Sequence, residues 1–120
     1  RALRDFTLDV SPSYTVSFHT KGEEIYWYFG QSSHTCLRDF TLAQAVSAST
    51  GYPLRQTVGS VGGYKDWCIS ALQIPALTVE CGNDAFRHPL GAFAWSDVKK
   101  RCGGALWALS AAAEKTLKNG

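Results

Sequence analysis

The sequence predicts an α/β fold, a largely parallel sheet flanked by helices. Three observations carry this. Short runs of β-branched and aromatic residues alternate with segments of helical spacing, the pattern of layered strand–helix units. Glycine and proline punctuate the boundaries between them. The 120 residues are 45% hydrophobic and 18% charged, an ordinary globular mixture able to bury the core of one domain or of part of one.

Residues 1–9 read as the tail of a helix, with Ala2, Leu3 and Phe6 on one face, stopped at Ser11-Pro12-Ser13. Tyr14 to Phe18 is a strand by residue type, and His19 stands at its carboxyl end. The polar segment Thr20 to Glu24 is a loop, and Ile25 to Phe29 is a second, aromatic strand. Leu37 to Thr50 follows helical spacing through Leu37, Phe40, Ala43 and Val46, and Gly51 and Pro53 end it. After a glycine-rich loop, Gly59 to Gly63, the residues Tyr64, Trp67, Cys68, Ala71 and Leu72 fit the i, i+3, i+4, i+7, i+8 template of an amphipathic helix. Pro75 separates that helix from the compact strand Ala76 to Glu80. The last element is a long helix from about Ser96 to Leu117, with the stripe Val98, Cys102, Ala105, Leu106, Leu109, Ala113 and Leu117.

This composition excludes a disordered polymer, a coiled coil and a collagen-like repeat. The net charge of +2 is too small to indicate nucleic-acid binding, so none is expected. No apolar run approaches the ~20 residues that span a bilayer. The chain has no methionine, begins with Arg1 and shows no secretory signal, so an N-terminal segment is expected to be missing from it. Compartment stays open. Cys36, Cys68, Cys81 and Cys102 form no C-x-x-C pair, which argues against a zinc ribbon or a thioredoxin-type site. Cys68 and Cys102 fall on apolar helix faces and Cys81 ends an apolar strand, as buried free thiols would. The hexapeptide Leu-Arg-Asp-Phe-Thr-Leu occurs twice, at Leu3–Leu8 and Leu37–Leu42, in two helix-forming segments. Two copies make no solenoid.

In largely parallel sheets functional groups gather at the carboxyl ends of strands, where His19 and Glu80 lie on two different strands. His19 is either a metal ligand or a capping or surface histidine. Glu80, at the rim of an apolar run, is either a partly desolvated general base or a salt-bridged strand end. Asp66 complements the N-terminus of its helix. His34 and His88 lie in loops with no ligand-like spacing. Gly59 to Gly63 lacks the Gly-Lys-Ser/Thr ending of a phosphate loop, and neither a G-x-S-x-G elbow nor an H-E-x-x-H helix is present.

The segment Phe18-His19-Thr20-Lys21-Gly22-Glu23-Glu24-Ile25-Tyr26-Trp27 resembles the strand and loop of zinc carboxypeptidases that supply the last histidine ligand. It looks most like the bacterial branch that cleaves γ-D-glutamyl–diaminopimelate bonds in peptidoglycan peptides. Gly62-Gly63-Tyr64-Lys65-Asp66-Trp67 followed by Pro75-Ala76-Leu77-Thr78-Val79-Glu80 is similar to the family's pocket loop, helix and catalytic-glutamate strand. The thirteen-residue step from Trp67 to Glu80 matches the animal digestive members, and Arg1-Ala2-Leu3 looks like the end of a helix that bacterial members carry before the histidine strand.

The resemblance implies the C-terminal half of a carboxypeptidase-like fold, with part of a mixed, largely parallel sheet. It implies His19 as a zinc ligand and Glu80 as general base, with zinc as the cofactor of the intact parent. Lys65 and Tyr64 would bind a peptide substrate, one containing diaminopimelate included, with Lys65 facing its acidic side chain. The family's His-x-x-Glu ligand pair and its substrate-binding arginines are not in the chain, which implies an incomplete zinc site and an inactive fragment. The digestive members' mobile tyrosine corresponds to Val58. Two other readings are a non-catalytic peptide- or partner-binding module, and a structural fragment that associates as a homodimer through a surface uncovered by truncation.

Overall fold

The structure, a computed structural model, describes residues 1–56 and 61–118. In chain order its elements are α1 (Ala2–Val10), β1 (Thr15–His19), β2 (Glu24–Tyr26), α2 (Ser33–Thr50), β3 (Leu54–Arg55), α3 (Tyr64–Leu72), β4 (Ala76–Glu80), α4 (Ala92–Cys102) and α5 (Ala105–Leu117). No helix among the described residues is long and apolar enough to cross a membrane.

The four strands form one mixed sheet in the order β1-β4-β2-β3. β4 runs parallel to β1, with Thr15 opposite Ala76 and His19 opposite Glu80. It runs antiparallel to β2, with Glu24 opposite Glu80. β2 and β3 are parallel. Two of the three pairings are therefore parallel, as the alternation of strands and helices leads one to expect.

Successive side chains on a strand point to opposite faces. On β4, Leu77 and Val79 enter the main core, as does Cys81 just beyond it, while Thr78 and Glu80 face a surface cavity. On β1, Ser17 and His19 face the same cavity. The core lies between the other face of the sheet and α2 and α5, around Ile25, Leu42, Val46, Tyr52 and Leu109. A smaller cluster of Cys68, Ile69 and Ala76 seats α3.

Helix boundaries follow local chemistry. The Ser32 hydroxyl caps α2 by accepting the Thr35 N–H, so the helix begins four residues before the expected Leu37. Gly51, at φ 75°, ends it in the left-handed conformation that glycine adopts freely. The aromatic strand is shorter than its composition suggests. β2 stops at Tyr26, because Trp27 turns into the core and packs on Phe40 with ring centroids 5.1 Å apart.

The expected single C-terminal helix is two. α4 ends at Cys102 and α5 begins at Ala105, with Gly103 and Gly104 between them. At Gly103 a Cβ would stand 2.6 Å from the Lys99 carbonyl oxygen, so the tight turn requires glycine. Across this break Leu106 drops out of the stripe and is exposed, whereas Val98, Ala105, Leu109 and Ala113 remain buried.

Candidate active site

The parallel register of β1 and β4 ends both strands side by side, and their last residues are His19 and Glu80. Alternation sends both side chains to one face of the sheet, where His19 Nδ1 lies 3.7 Å from Glu80 Oε1. The imidazole is more than half exposed, and the carboxylate is largely covered. Burial pushes the Glu80 carboxyl above its ordinary range, the nearby Glu24 charge adds to that, and His19 opposes it.

Both residues line a cavity of about 410 Å³ whose far wall is the N-terminus of α3, with Gly63, Tyr64, Lys65 and Asp66. Ser17, Tyr26 and Thr78 complete it. The Tyr64 hydroxyl is hydrogen-bonded to Thr7 Oγ1 at 2.8 Å. Thr7 Oγ1 itself donates to the Leu3 carbonyl, so it accepts from Tyr64 and ties α1 to the cavity wall. Burial pushes the Tyr64 hydroxyl pKa up.

Asp66 Oδ2 accepts the Gly63 N–H at 3.3 Å, the helix-capping role expected of it. Its other oxygen pairs with Lys65 Nζ at 2.5 Å. The Lys65 ammonium is buried and also donates to the Tyr28 carbonyl at 3.0 Å. The lysine is thus fixed at the cavity wall with its charge offset by a neighbour.

A second acidic group lies beside Glu80. Glu24 accepts hydrogen bonds from the Tyr26 hydroxyl and from Arg55 Nε. The Tyr26 contact and then Arg55 hold its carboxyl below the usual range, against the effect of burial. Two carboxylates in register across one strand pair are therefore pushed in opposite directions, one paired and one left to the cavity.

Of the residues singled out in the sequence, the structure brings His19, Tyr64, Lys65, Asp66 and Glu80 to one cavity. His34 sits in the first turn of α2, and His88 bonds Thr20 through Nε2, so neither lines it. Val58 and the Gly59-Ser60 part of the glycine-rich loop lie outside the described residues. Sequence reasoning missed Ser17, Thr78, Tyr26 and Glu24. The period of two along β1 and β4 signals the first pair, whereas nothing local signals the second.

The fold family implies zinc. The donor set does not fit a complete zinc site. Among the described residues no three His, Cys, Asp or Glu side chains converge, and a catalytic zinc takes three protein ligands.

No family model matches the chain. Over 92 residues it is 33% identical to γ-D-glutamyl-L-diamino acid endopeptidase 1 of Lysinibacillus sphaericus, an alignment that spans 77% of this chain and 23% of that protein. Its structure is similar to that of thrombin activatable fibrinolysis inhibitor, with a TM-score of 0.68 and 19% identity over 99% of this chain and 33% of that one. It is also similar to murein-tripeptide amidase MpaA from Escherichia coli O157, with a TM-score of 0.58 and 20% identity over 90% of this chain and 39% of that one. The chain thus spans about a quarter of the curated relative and a third to two fifths of the solved structures. The layered sheet, its register and these likenesses together give the chain the zinc carboxypeptidase fold, with its resemblance in sequence to the bacterial branch that includes γ-D-glutamyl–diamino acid endopeptidases.

Proposed function

We propose that this chain is the C-terminal portion of a single peptidase catalytic domain, and that the complete domain hydrolyses peptide or isopeptide bonds of cell-wall peptides. One observation carries the reading: an imidazole and a partly desolvated carboxylate, 3.7 Å apart, share one cavity at the carboxyl ends of adjacent strands. The names of two similar proteins, a γ-D-glutamyl-L-diamino acid endopeptidase and a murein-tripeptide amidase, support the substrate class.

In this proposal Glu80 is the general base. Its carboxylate accepts a proton from the attacking water as the oxygen–carbon bond forms at the scissile carbonyl. It returns that proton to the departing amine as the carbon–nitrogen bond breaks. His19 is one zinc ligand of a set whose other members, a His-x-x-Glu pair, come from outside the 120 residues. Tyr64 and Lys65 bind the peptide. An ammonium has three N–H donors, and two of those on Lys65 go to Asp66 and Tyr28, which leaves one for a substrate carboxylate such as that of diaminopimelate. Because Asp66 offsets the charge, a directed hydrogen bond supplies the selectivity.

In the complete domain, Glu80→Gln is expected to lower turnover of γ-D-glutamyl–diaminopimelate peptides by about 10²–10⁴-fold with substrate binding retained. Unchanged turnover overturns the assignment. Binding without turnover by both forms favours a non-catalytic peptide-binding module. The 120-residue chain alone is expected to show no stoichiometric sub-micromolar zinc binding by calorimetry, and tight binding would overturn the incompleteness of the site.

A further inference from the structure

Two of the four cysteines meet on the side of the sheet away from the His19–Glu80 cavity. Cys81 follows Glu80 directly and is buried in the main core. Cys102 ends α4 and is partly exposed. Their sulfur atoms are 3.4 Å apart. All four cysteines are free thiols, and among the described residues this is the sulfur–sulfur contact the structure contains. Tyr52 accepts the Gly82 N–H with its hydroxyl oxygen, which lies 3.8 Å from Cys102 Sγ. One tyrosine therefore braces both ends of the pair.

The two thiols differ. The contact with Cys81 pulls the Cys102 thiol down, helped by the Tyr52 hydroxyl and the Arg101 charge and opposed by burial. Cys81 is the more deeply buried of the two. The thiolate is the nucleophile in sulfur chemistry, so Cys102 is the attacking partner. Access exists from both directions. Cys102 is partly exposed, and Cys81 borders an open cavity of about 460 Å³ together with His19, Trp95 and Val98. A disulfide has a sulfur–sulfur bond of about 2.04 Å, so side-chain movement of roughly 1.4 Å closes the gap.

We propose that Cys81 and Cys102 form a redox-active dithiol, which a two-electron oxidant of the peroxide class converts into an intramolecular disulfide joining the end of β4 to the end of α4. The Cys102 sulfur attacks one peroxide oxygen. A sulfur–oxygen bond forms, the oxygen–oxygen bond breaks, and the second oxygen leaves as water after protonation. The Cys81 sulfur then attacks Cys102. The sulfur–sulfur bond forms, the sulfur–oxygen bond breaks, and a second water leaves. The two sulfurs together lose two electrons and the peroxide gains them. The link restrains the residue next to Glu80, so the oxidation state of the pair bears on the geometry of the cavity.

The test is limited hydrogen peroxide treatment of the chain, followed by intact mass and peptide mapping. The expected result is a loss of two hydrogens and a cross-linked peptide pair containing Cys81 and Cys102, formed before any change at Cys36 or Cys68 and reversed by dithiothreitol. Cys102→Ser is expected to lose the cross-link, and Cys36→Ser to keep it. Should Cys102→Ser not fold, phenylarsine oxide, which bridges close dithiols, provides a second readout on the unaltered chain. One arsenic mapped to Cys81 and Cys102 supports the pair. A first link through Cys36 or Cys68, over-oxidation of Cys102 with Cys81 still free, or no arsenic uptake overturns it. These measurements read thiols, not turnover, so they stand apart from the hydrolytic reading.

Discussion

Two stretches of the chain spell the same six residues, Leu3–Leu8 in α1 and Leu37–Leu42 in α2, and they bury different members. In α1 the covered residue is Thr7, while Leu3, Phe6 and Leu8 are exposed. In α2 Asp39 and Leu42 are covered, Phe40 packs on Trp27, and Thr41 faces out. The Asp and Thr positions lie about 200° apart around a helix, so the inward face differs almost completely. Both copies have one helix propensity. What differs is the partner. α1 is nine residues long and meets the rest of the molecule through the Thr7–Tyr64 hydrogen bond, whereas α2 is eighteen residues long and lies against α5. Amphipathicity offers a helix more than one inward face, and the surroundings select among them.

Substitutions at equivalent positions sharpen the contrast. Leu42→Ala empties a fully buried site and is expected to cost about 2–5 kcal/mol in denaturant unfolding. Leu8→Ala is expected to change stability by no more than ~0.5 kcal/mol. Equal losses would break the comparison, because they would mean that the exposed α1 face is covered in solution, as in a homodimer. Asp39 comes next. It accepts from Arg38 and Gln31, so Asp39→Ala should cost about 1.5–3 kcal/mol, while Asp5→Ala, in an exposed pair with Arg4, should leave the unfolding midpoint unmoved. The smallest effect reverses the order of the copies. Thr7→Val loses the link to Tyr64 at a cost of about 1 kcal/mol, and Thr41→Val, on an exposed position, should be silent in the same assay.

The same contrast explains what was legible. α3 and β4 could be placed because Tyr64 to Leu72 and Ala76 to Glu80 carry strong periods bounded by Gly63 and Pro75. His19 and Glu80 could be singled out because strand ends in layered sheets collect function. Their meeting depends on the β1–β4 register, which lies in no local pattern. The break at Gly103-Gly104 was hidden because the apolar stripe continues across it. The burial of Asp39 and Lys65 runs against their residue type, and each is tolerated only because a partner from a neighbouring residue or loop meets its charge. The Glu24–Arg55 pair and the Cys81–Cys102 contact join residues far apart in the chain, and composition carries no trace of either.

β4 lies between β1 and β2, although it comes after both, and after β3, in chain order. In the folded sheet β1 and β2 stand about two strand spacings apart, near 10 Å, and β4 fills the slot between them. Without β4 the inner edges of both strands would present unpaired backbone groups, a template for any stray extended segment. Pairing β4 with both joins the first quarter of the chain to residues more than fifty positions later, the kind of distant closure that slows folding. The strand that closes the slot also delivers Glu80 to His19, so a half-folded chain holds neither a finished sheet nor an assembled pair.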